Sequence, residues 1–553
     1  MKNLWVALAA CFAVGAAAAE PGAGIHAYRN IPLWDPGQVP GAIGDGPLDA
    51  PFLTVFAPRA GQANGSAVIV APGGGNIMMM YGSEGADAAE VFNDWGVTAF
   101  VLTYRLSRYD NDARTRDGER AMRMVRANAA KWGLDPAKIG FIGFSAGGSL
   151  ARAVVAASDA GDANSADPIE RVSSRPDWAG LIYGAGRASE GESLKDYPPT
   201  FLLSAAADQG PSLANAQLFT ELTKAGAVAE LHLYQRGRHG FGSGIGSTEF
   251  GDWMSRLQGF MRVSGFLPKA AAPVSATIHT PARRTTASKR IAPLPAAVND
   301  GHGDYVFVPA GAFQMGDATG DGWARERPAH VVELDAFYIS KFEVTNREWR
   351  RFRDDAGYDD ADFWPDGRVV PRDQIPYWTQ PNNHGGGTTG SDDYPVIGVN
   401  WDAATAYCAW LSAKTGKRYR LPTEAEWEKA ARGTDARRYP FGDSIDRSQA
   451  NFVYAQAYDT VMRVGSLKGG ASPYGAFDMA GNVLEWTQDW YDRDYYAASP
   501  RKNPRGPATG AYRVVRGGSF FVEPYELRTS ARSMAWPSFQ AHRMIGFRPV
   551  REP

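Results

Sequence analysis

Gly143-Phe144-Ser145-Ala146-Gly147 constrains this chain more than any other stretch. It follows the apolar run Ile139-Gly140-Phe141-Ile142, which reads as a buried strand, and precedes a helix-patterned run over 148–155. A Gly-x-Ser-x-Gly between strand and helix forces a tight turn whose flanking residues must be small. Such a turn lifts the serine hydroxyl clear of the sheet, where a base and a ligand can both reach it.

The surrounding 20–267 alternates strand-like and helix-like segments. Residues 67–70, 98–102, 180–183 and 200–203 are apolar runs bounded by turn residues, and 117–132 carries Ala121, Met122, Val125 and Ala129 on one helical face. The expected fold is therefore α/β, a parallel sheet covered by helices. Residues 268–303 are rich in Pro, Ala and Thr without apolar period and read as a solvated linker. From 304 to 553 the texture changes to dense Trp, Tyr, Gly and Asp with short strands. Helices are expected there over 346–355, 401–416 and 424–432, giving a loop-rich α+β domain. At 553 residues the chain is too long for one core and divides into two domains, with three the alternative.

The start of the chain reads as an export signal over 1–19. Lys2 is followed by an apolar stretch and by Ala17-Ala18-Ala19, so a periplasmic or secreted location is expected. Leu8-Ala9-Ala10-Cys11 also resembles a lipoprotein box, with anchoring at Cys11 the minor alternative. Beyond Cys11 the only cysteine is Cys408, so an exported chain would lack an internal disulfide. A net charge of −2 argues against a nucleic-acid surface, and no later segment reads as membrane-spanning.

A serine at such a turn needs a base. Downstream the first domain offers His232 and His239. His232 alternates within a strand-like run, whereas His239 lies in the glycine-rich loop 237–242. The ring must swing to the top of the sheet, which favours the loop and so His239 over His232. Asp208 follows the strand-like run 201–207, at the carboxyl edge where sites assemble, and suits the acid that orients the histidine. Asp196 precedes that strand and falls at the wrong end. Donors for a developing oxyanion are expected from the amide of Ala146 and from Gly74 and Gly75, in the loop Ala71-Pro72-Gly73-Gly74-Gly75-Asn76 after another strand.

These stretches, together with Gly82-Ser83-Glu84-Gly85, Val101-Leu102-Thr103-Tyr104-Arg105-Leu106 and Arg120-Ala121-Met122-Arg123, resemble the secreted α/β-hydrolases of the acetylxylan and feruloyl esterase type. The resemblance spans nearly the whole first domain. It implies hydrolysis of O-acetyl or feruloyl esters on polysaccharide or oligosaccharide, with no cofactor for the esterase. The chain departs from the pattern at Ser149, where such proteins usually carry His, and at Ala207, where they often carry a second acid.

The second domain resembles the formylglycine-generating-enzyme family, whose fold is similar to a C-type lectin. The resemblance rests on Val308-Pro309-Ala310-Gly311, Arg420-Leu421-Pro422-Thr423-Glu424-Ala425-Glu426-Trp427-Glu428, Gly481-Asn482-Val483-Leu484-Glu485-Trp486, Arg516-Gly517-Gly518-Ser519 and Gly546-Phe547-Arg548. The two cysteines on which that family's chemistry relies fall at Val522 and Leu527 here, and Cys408 reads as core. His302, His330, His384 and His542 show no ligand spacing. The resemblance does imply calcium loops: Asp478, Glu485 and the carbonyls of Gly481 and Val483 for one, Asn451 and Asp459 for another. Trp364 and Trp378 are candidate sugar platforms, with core packing the alternative. The leading expectation is thus an exported Ser-His-Asp esterase with a noncatalytic lectin-like module. The alternatives are a metal-dependent oxidase or maturation enzyme in the second domain, and a glycan-binding scaffold with little hydrolase activity.

Overall fold

Eight strands form the sheet of the first domain: β1 (Asn30–Pro32), β2 (Phe52–Phe56), β3 (Ala67–Ala71), β4 (Thr98–Thr103), β5 (Ile139–Phe144), β6 (Trp178–Ile182), β7 (Thr200–Ala205) and β8 (Ala229–Tyr234). Their order is β1-β2-β4-β3-β5-β6-β7-β8, antiparallel from β1 through β4 and parallel thereafter. The structure, a computed structural model, describes residues 27–44, 48–184, 186, 192–237, 239–244, 251–268, 296–372, 392–452, 461–538 and 544–553. The expected signal segment with Cys11, most of the expected linker, and Trp378, His384, Asp459 and His542 lie outside the described residues.

The inner strands β3 to β7 are buried at every position, as a parallel sheet covered on both faces requires. The cover is α1 (Asp87–Asp94), α2 (Asn111–Ala127), α3 (Ala146–Ala157), α4 (Gln209–Ala225) and α5 (Trp253–Val263). The helix expected over 117–132 begins earlier because the Asp110 carboxylate caps the Ala113 amide, and its last turn becomes a separate 3-10 turn, Ala130–Trp132. Among the described residues, no helix is long and apolar enough to cross a membrane.

The second domain opens with β9 (Ala297–Asn299), inside the stretch expected to be linker. This short strand pairs with β10 (Asp304–Val308), so the domain begins before residue 304. There follow β11 (Gly311–Met315), β12 (His330–Leu334), β13 (Phe337–Ser340), α6 (Asn346–Arg353), α7 (Trp401–Thr415), β14 (Tyr419–Arg420), α8 (Glu424–Arg432), β15 (Leu484–Trp490), β16 (Arg513–Arg516), β17 (Arg532–Ala535), β18 (Ile545–Gly546) and β19 (Val550–Arg551). They form sheets ordered β14-β19-β13-β10-β9, β11-β12 and β17-β16-β15-β18. Capping boxes at Thr345/Glu348 and Thr423/Glu426 start α6 and α8. Trp364 is core, 3% exposed, with its indole N–H donating to the Tyr358 carbonyl, so it is no sugar platform.

Several family-like motifs of this domain contribute to its buried ion pairs. Arg516 of the Arg-Gly-Gly-Ser run meets Glu428, Arg532 meets Glu424, Arg528 meets Glu326 and Arg548 meets Glu485. All are buried, so each charge needs its partner to offset desolvation, and the pairs lock short strands and loops that bury little apolar surface of their own.

The two domains share one hydrophobic core. Tyr491, Tyr512, Val514 and Met534 of the second domain pack into the same cluster as Val70, Phe100, Phe141 and Leu202 of the first. Tyr512 Oη lies 2.6 Å from Thr54 Oγ1 and accepts from Tyr81 Oη at 3.0 Å. Buried Arg325 reaches across to Asp87 at 2.7 Å and Glu90 at 2.9 Å on α1, and Tyr491 donates its hydroxyl to Glu90.

Candidate active site

The turn between β5 and α3 holds Ser145 at φ 52° and ψ −118°, a conformation ordinary side chains avoid. Close packing imposes it. A β-carbon on Gly143 would stand 1.9 Å from the Gly147 carbonyl oxygen, and one on Gly147 would stand 2.0 Å from that of Ala71. Only glycine fits either position, so the pentapeptide is a steric requirement of this crossing.

Ser145 Oγ lies 2.5 Å from His239 Nε2, and His239 Nδ1 lies 2.7 Å from Asp208 Oδ2. With Nδ1–H donating to the carboxylate, Nε2 is left as acceptor for the serine proton. Asp208 stands just past β7 at the start of α4, and the imidazole is about a third exposed, accessible to solvent and ligand. His232 instead points to Glu230 at 2.7 Å on its own strand and packs on Phe201, remote from Ser145 in role. Asp196 lies before β7, and its carbonyl accepts from Arg175.

The Ala146 N–H heads α3, where a helix leaves its first amides without intrahelical acceptors. The loop after β3 runs beside it: a β-carbon on Gly73 would stand 2.7 Å from Ser145 Cβ. Gly73 N–H is taken by Glu84 Oε2 at 2.8 Å, while the expected donors Gly74, at φ 125°, and Gly75, at φ 63°, follow it in the loop. Ser149, in the first turn of α3, donates its hydroxyl to the Gly184 carbonyl at 2.5 Å.

Sequence reading missed a brace behind the triad. Glu84 accepts from Gly73 N–H through one oxygen and from the Tyr183 hydroxyl through the other, at 2.8 Å each. Tyr183 Oη in turn accepts from Gly242 N–H at 3.0 Å, and its ring meets the His239 ring edge-on at 5.2 Å. One buried carboxylate therefore ties the oxyanion loop to the histidine loop. Glu84 stands in the quoted Gly82–Gly85 stretch, but no spacing rule discloses that Tyr183, at the end of β6, is its partner. In Glu84→Gln the amide can serve only one of the two donors, leaving the other buried without an acceptor. We expect kcat to fall about tenfold, the equivalent of ~1.4 kcal/mol, with KM nearly unchanged. Steady-state kinetics beside a melting curve checks this.

In the second domain, Val522 and Leu527 pack with Tyr439, Phe452 and Ala480, so an apolar cluster fills the positions of the family's thiols. Cys408 is 1% exposed in α7, and burial pushes its thiol well above the ordinary range. Neither supplies a reactive thiolate.

At the first expected calcium loop the side-chain ligands are already engaged by protein groups. Glu485 gives both oxygens to the Arg548 guanidinium at 2.6 Å and also accepts from the Trp427 indole at 2.8 Å. Asp478 accepts from Gly465 N–H at 2.6 Å and lies against Glu343, whose carboxyl is raised by burial and then by the Asp478 charge. The Asn451 carbonyl accepts from Asn482 N–H and its side-chain amide donates to Asn482 Oδ1, while Gly481 N–H donates to Gly517. Val483 is fully buried. A divalent ion at Glu485 would compete with the Arg548 guanidinium for the same two oxygens. Among the described residues, no group of three or more His, Cys, Asp or Glu side chains is disposed to hold a metal.

Residues 53–174 match the BD-FAE family model, and residues 292–553 match the model described as sulfatase-modifying factor enzyme 1-like domain. The formylglycine-generating enzyme of Streptomyces coelicolor is 35% identical over 294 residues, covering 46% of this chain and 91% of that protein. The serine/threonine-protein kinase pkn1 of Chlamydia caviae is 36% identical over 238 residues, and the match spans 41% of this chain but only 35% of that relative. A solved acetyl ester-xyloside bifunctional hydrolase from Caldicellulosiruptor lactoaceticus is 31% identical, covering 44% of this chain and 98% of that one at a TM-score of 0.41. Behind an esterase-like α/β-hydrolase domain, the chain belongs through residues 292–553 to the sulfatase-modifying factor enzyme 1-like family.

Proposed function

We propose that this chain is an exported serine esterase that removes small acyl groups, acetyl foremost, from carbohydrate. The observation that carries the reading is the relay from Ser145 through His239 to Asp208, 2.5 and 2.7 Å long, at the carboxyl edge of the sheet. The BD-FAE match and the motifs shared with carbohydrate esterases support the substrate class, and the charged-then-apolar start of the chain supports export.

Ser145 Oγ attacks the ester carbonyl carbon as His239 Nε2 takes the hydroxyl proton. The carbonyl oxygen becomes an oxyanion held by the amides of Ala146, Gly74 and Gly75. Collapse breaks the bond to the leaving alkoxide, which receives the proton from His239 and departs as the free sugar hydroxyl. Water then attacks the acyl-enzyme as His239 takes its proton, and His239 returns that proton to Ser145 Oγ as the bond to the acyl group breaks and the acid leaves. Asp208 holds the imidazole in one tautomer and stabilises the imidazolium. The second domain supplies support rather than chemistry, since its thiol positions are apolar.

Acetate and ferulate release from acetylated and feruloylated xylo-oligosaccharides, beside p-nitrophenyl acetate, tests the assignment. Acetate release is expected from both the sugar ester and the nitrophenyl ester. Turnover of p-nitrophenyl acetate without any release from the sugar esters would overturn the carbohydrate reading while leaving the serine mechanism standing.

A further inference from the structure

The second domain reaches the edge of the serine site. A β-carbon on Gly240, the residue after His239, would stand 3.5 Å from Cε1 and 3.8 Å from Cζ of Phe521. The Phe521 ring therefore lies against the histidine loop. Phe521 follows the Arg-Gly-Gly-Ser run, on the segment that carries Val522. Its amide bonds Ser519 Oγ at 3.3 Å, the Phe520 amide donates to the Asn482 carbonyl at 2.9 Å, and the two rings meet edge-on at 6.3 Å. Both rings are half-buried and so keep open surface. The segment is tied to the first domain, because a β-carbon on Gly82 would stand 3.0 Å from Ser533 Oγ and the Arg325 and Tyr512 contacts join the two domains through a common core.

The chemistry decides which half of a substrate meets this ring. His239 Nε2 must protonate the departing alkoxide, so the alcohol half of the ester lies on the His239 side of Ser145, and the acyl half lies on the other side of the reacting carbon. We propose that Phe521 is a substrate-binding residue for the alcohol half of the ester, an aromatic face on which the sugar ring of a carbohydrate ester rests. The proposal builds on the esterase assignment above and adds that the second domain completes the leaving-group subsite. It gives that domain, with its thiol positions filled by apolar side chains, a role in specificity.

The test compares the wild-type full chain with Phe521→Ala and Phe521→Trp on two series. One keeps the acetyl group and varies the alcohol: methyl acetate, p-nitrophenyl acetate and acetylated xylo-oligosaccharide. The other keeps p-nitrophenol and varies the acyl chain: acetate, butyrate and octanoate. Phe521→Ala should lower kcat/KM about tenfold for the ring-bearing alcohols, mostly through KM, and leave methyl acetate unchanged. The ranking of acyl chains should not move, and Phe521→Trp should restore most of the loss. A uniform change across every ester, no change at all, or a shift confined to the acyl series would each overturn the proposal. If the wild type ignores the sugar ester, the carbohydrate assignment fails by itself, and the contrast between p-nitrophenyl and methyl acetate still decides the role of Phe521.

Discussion

Ser145→Ala should abolish ester hydrolysis, with kcat falling on the order of 10⁴–10⁶-fold and the fold intact. The loss is large because the hydroxyl is the only atom in the relay that bonds to the acyl carbon. The residual rate comes from the oxyanion amides of Ala146, Gly74 and Gly75, which the substitution leaves in place. His239→Ala should cost a comparable amount and add little in the double variant, since the two side chains act as one unit. Alanine also fits the position without new contacts, although it keeps the strained φ of 52°. Stopped-flow release of p-nitrophenol should show a burst in the wild type, provided deacylation is the slower step, and none in Ser145→Ala. Wild-type rates in the variant would remove the serine mechanism.

Arg325→Met should destabilise the whole chain by about 3–5 kcal/mol, the usual loss when one partner of a buried ion pair is removed. The guanidinium sits between Asp87 and Glu90 at 2.7 and 2.9 Å, and methionine would strand both carboxylates at the seam between the domains. The effect should depend on pH, with a definite sign. Burial raises Asp87 from 3.8 to about 6, against the opposing pull of Arg325. The folded chain therefore binds more protons than the unfolded one between about pH 4 and 6. Over that window this group's contribution weakens as pH rises, and above it the contribution is flat. Without Arg325 the carboxyl is raised further, so the deficit of the variant should be smaller at pH 5 than at pH 8. Urea melts at the two pH values measure it, and equal deficits at both would show that Asp87 does not carry the charge across the seam.

The triad was legible because its parts are local. Ser145 announces itself through the glycines that its turn requires. Asp208 follows an apolar run, and His239 sits in a glycine-rich loop after the next strand. Strand-end position along a parallel sheet is enough to bring them to one edge, and the structure spaces them at 2.5 and 2.7 Å. The pairing of Glu485 was hidden for a physical reason of the opposite kind. Glu485 has the residue type and setting of a ligand, but its partner Arg548 lies on the far side of a sheet connection and takes both oxygens. The expected linker likewise ran too far, since Ala297–Asn299 gains its strand character only from pairing with β10.

Periodicity, punctuation and residue type determined the two fold classes, the meeting of Ser145, His239 and Asp208, and the apolar residues at Val522 and Leu527. All of these follow from short-range sterics or from the presence of a single kind of atom. Tertiary structure alone decided the Glu84–Tyr183 brace, the Arg–Glu locks, the common core of the two domains and the approach of Phe521 to the histidine loop. Those contacts join residues far apart along the chain, and their geometry is set by the packing of whole sheets, which no local pattern records.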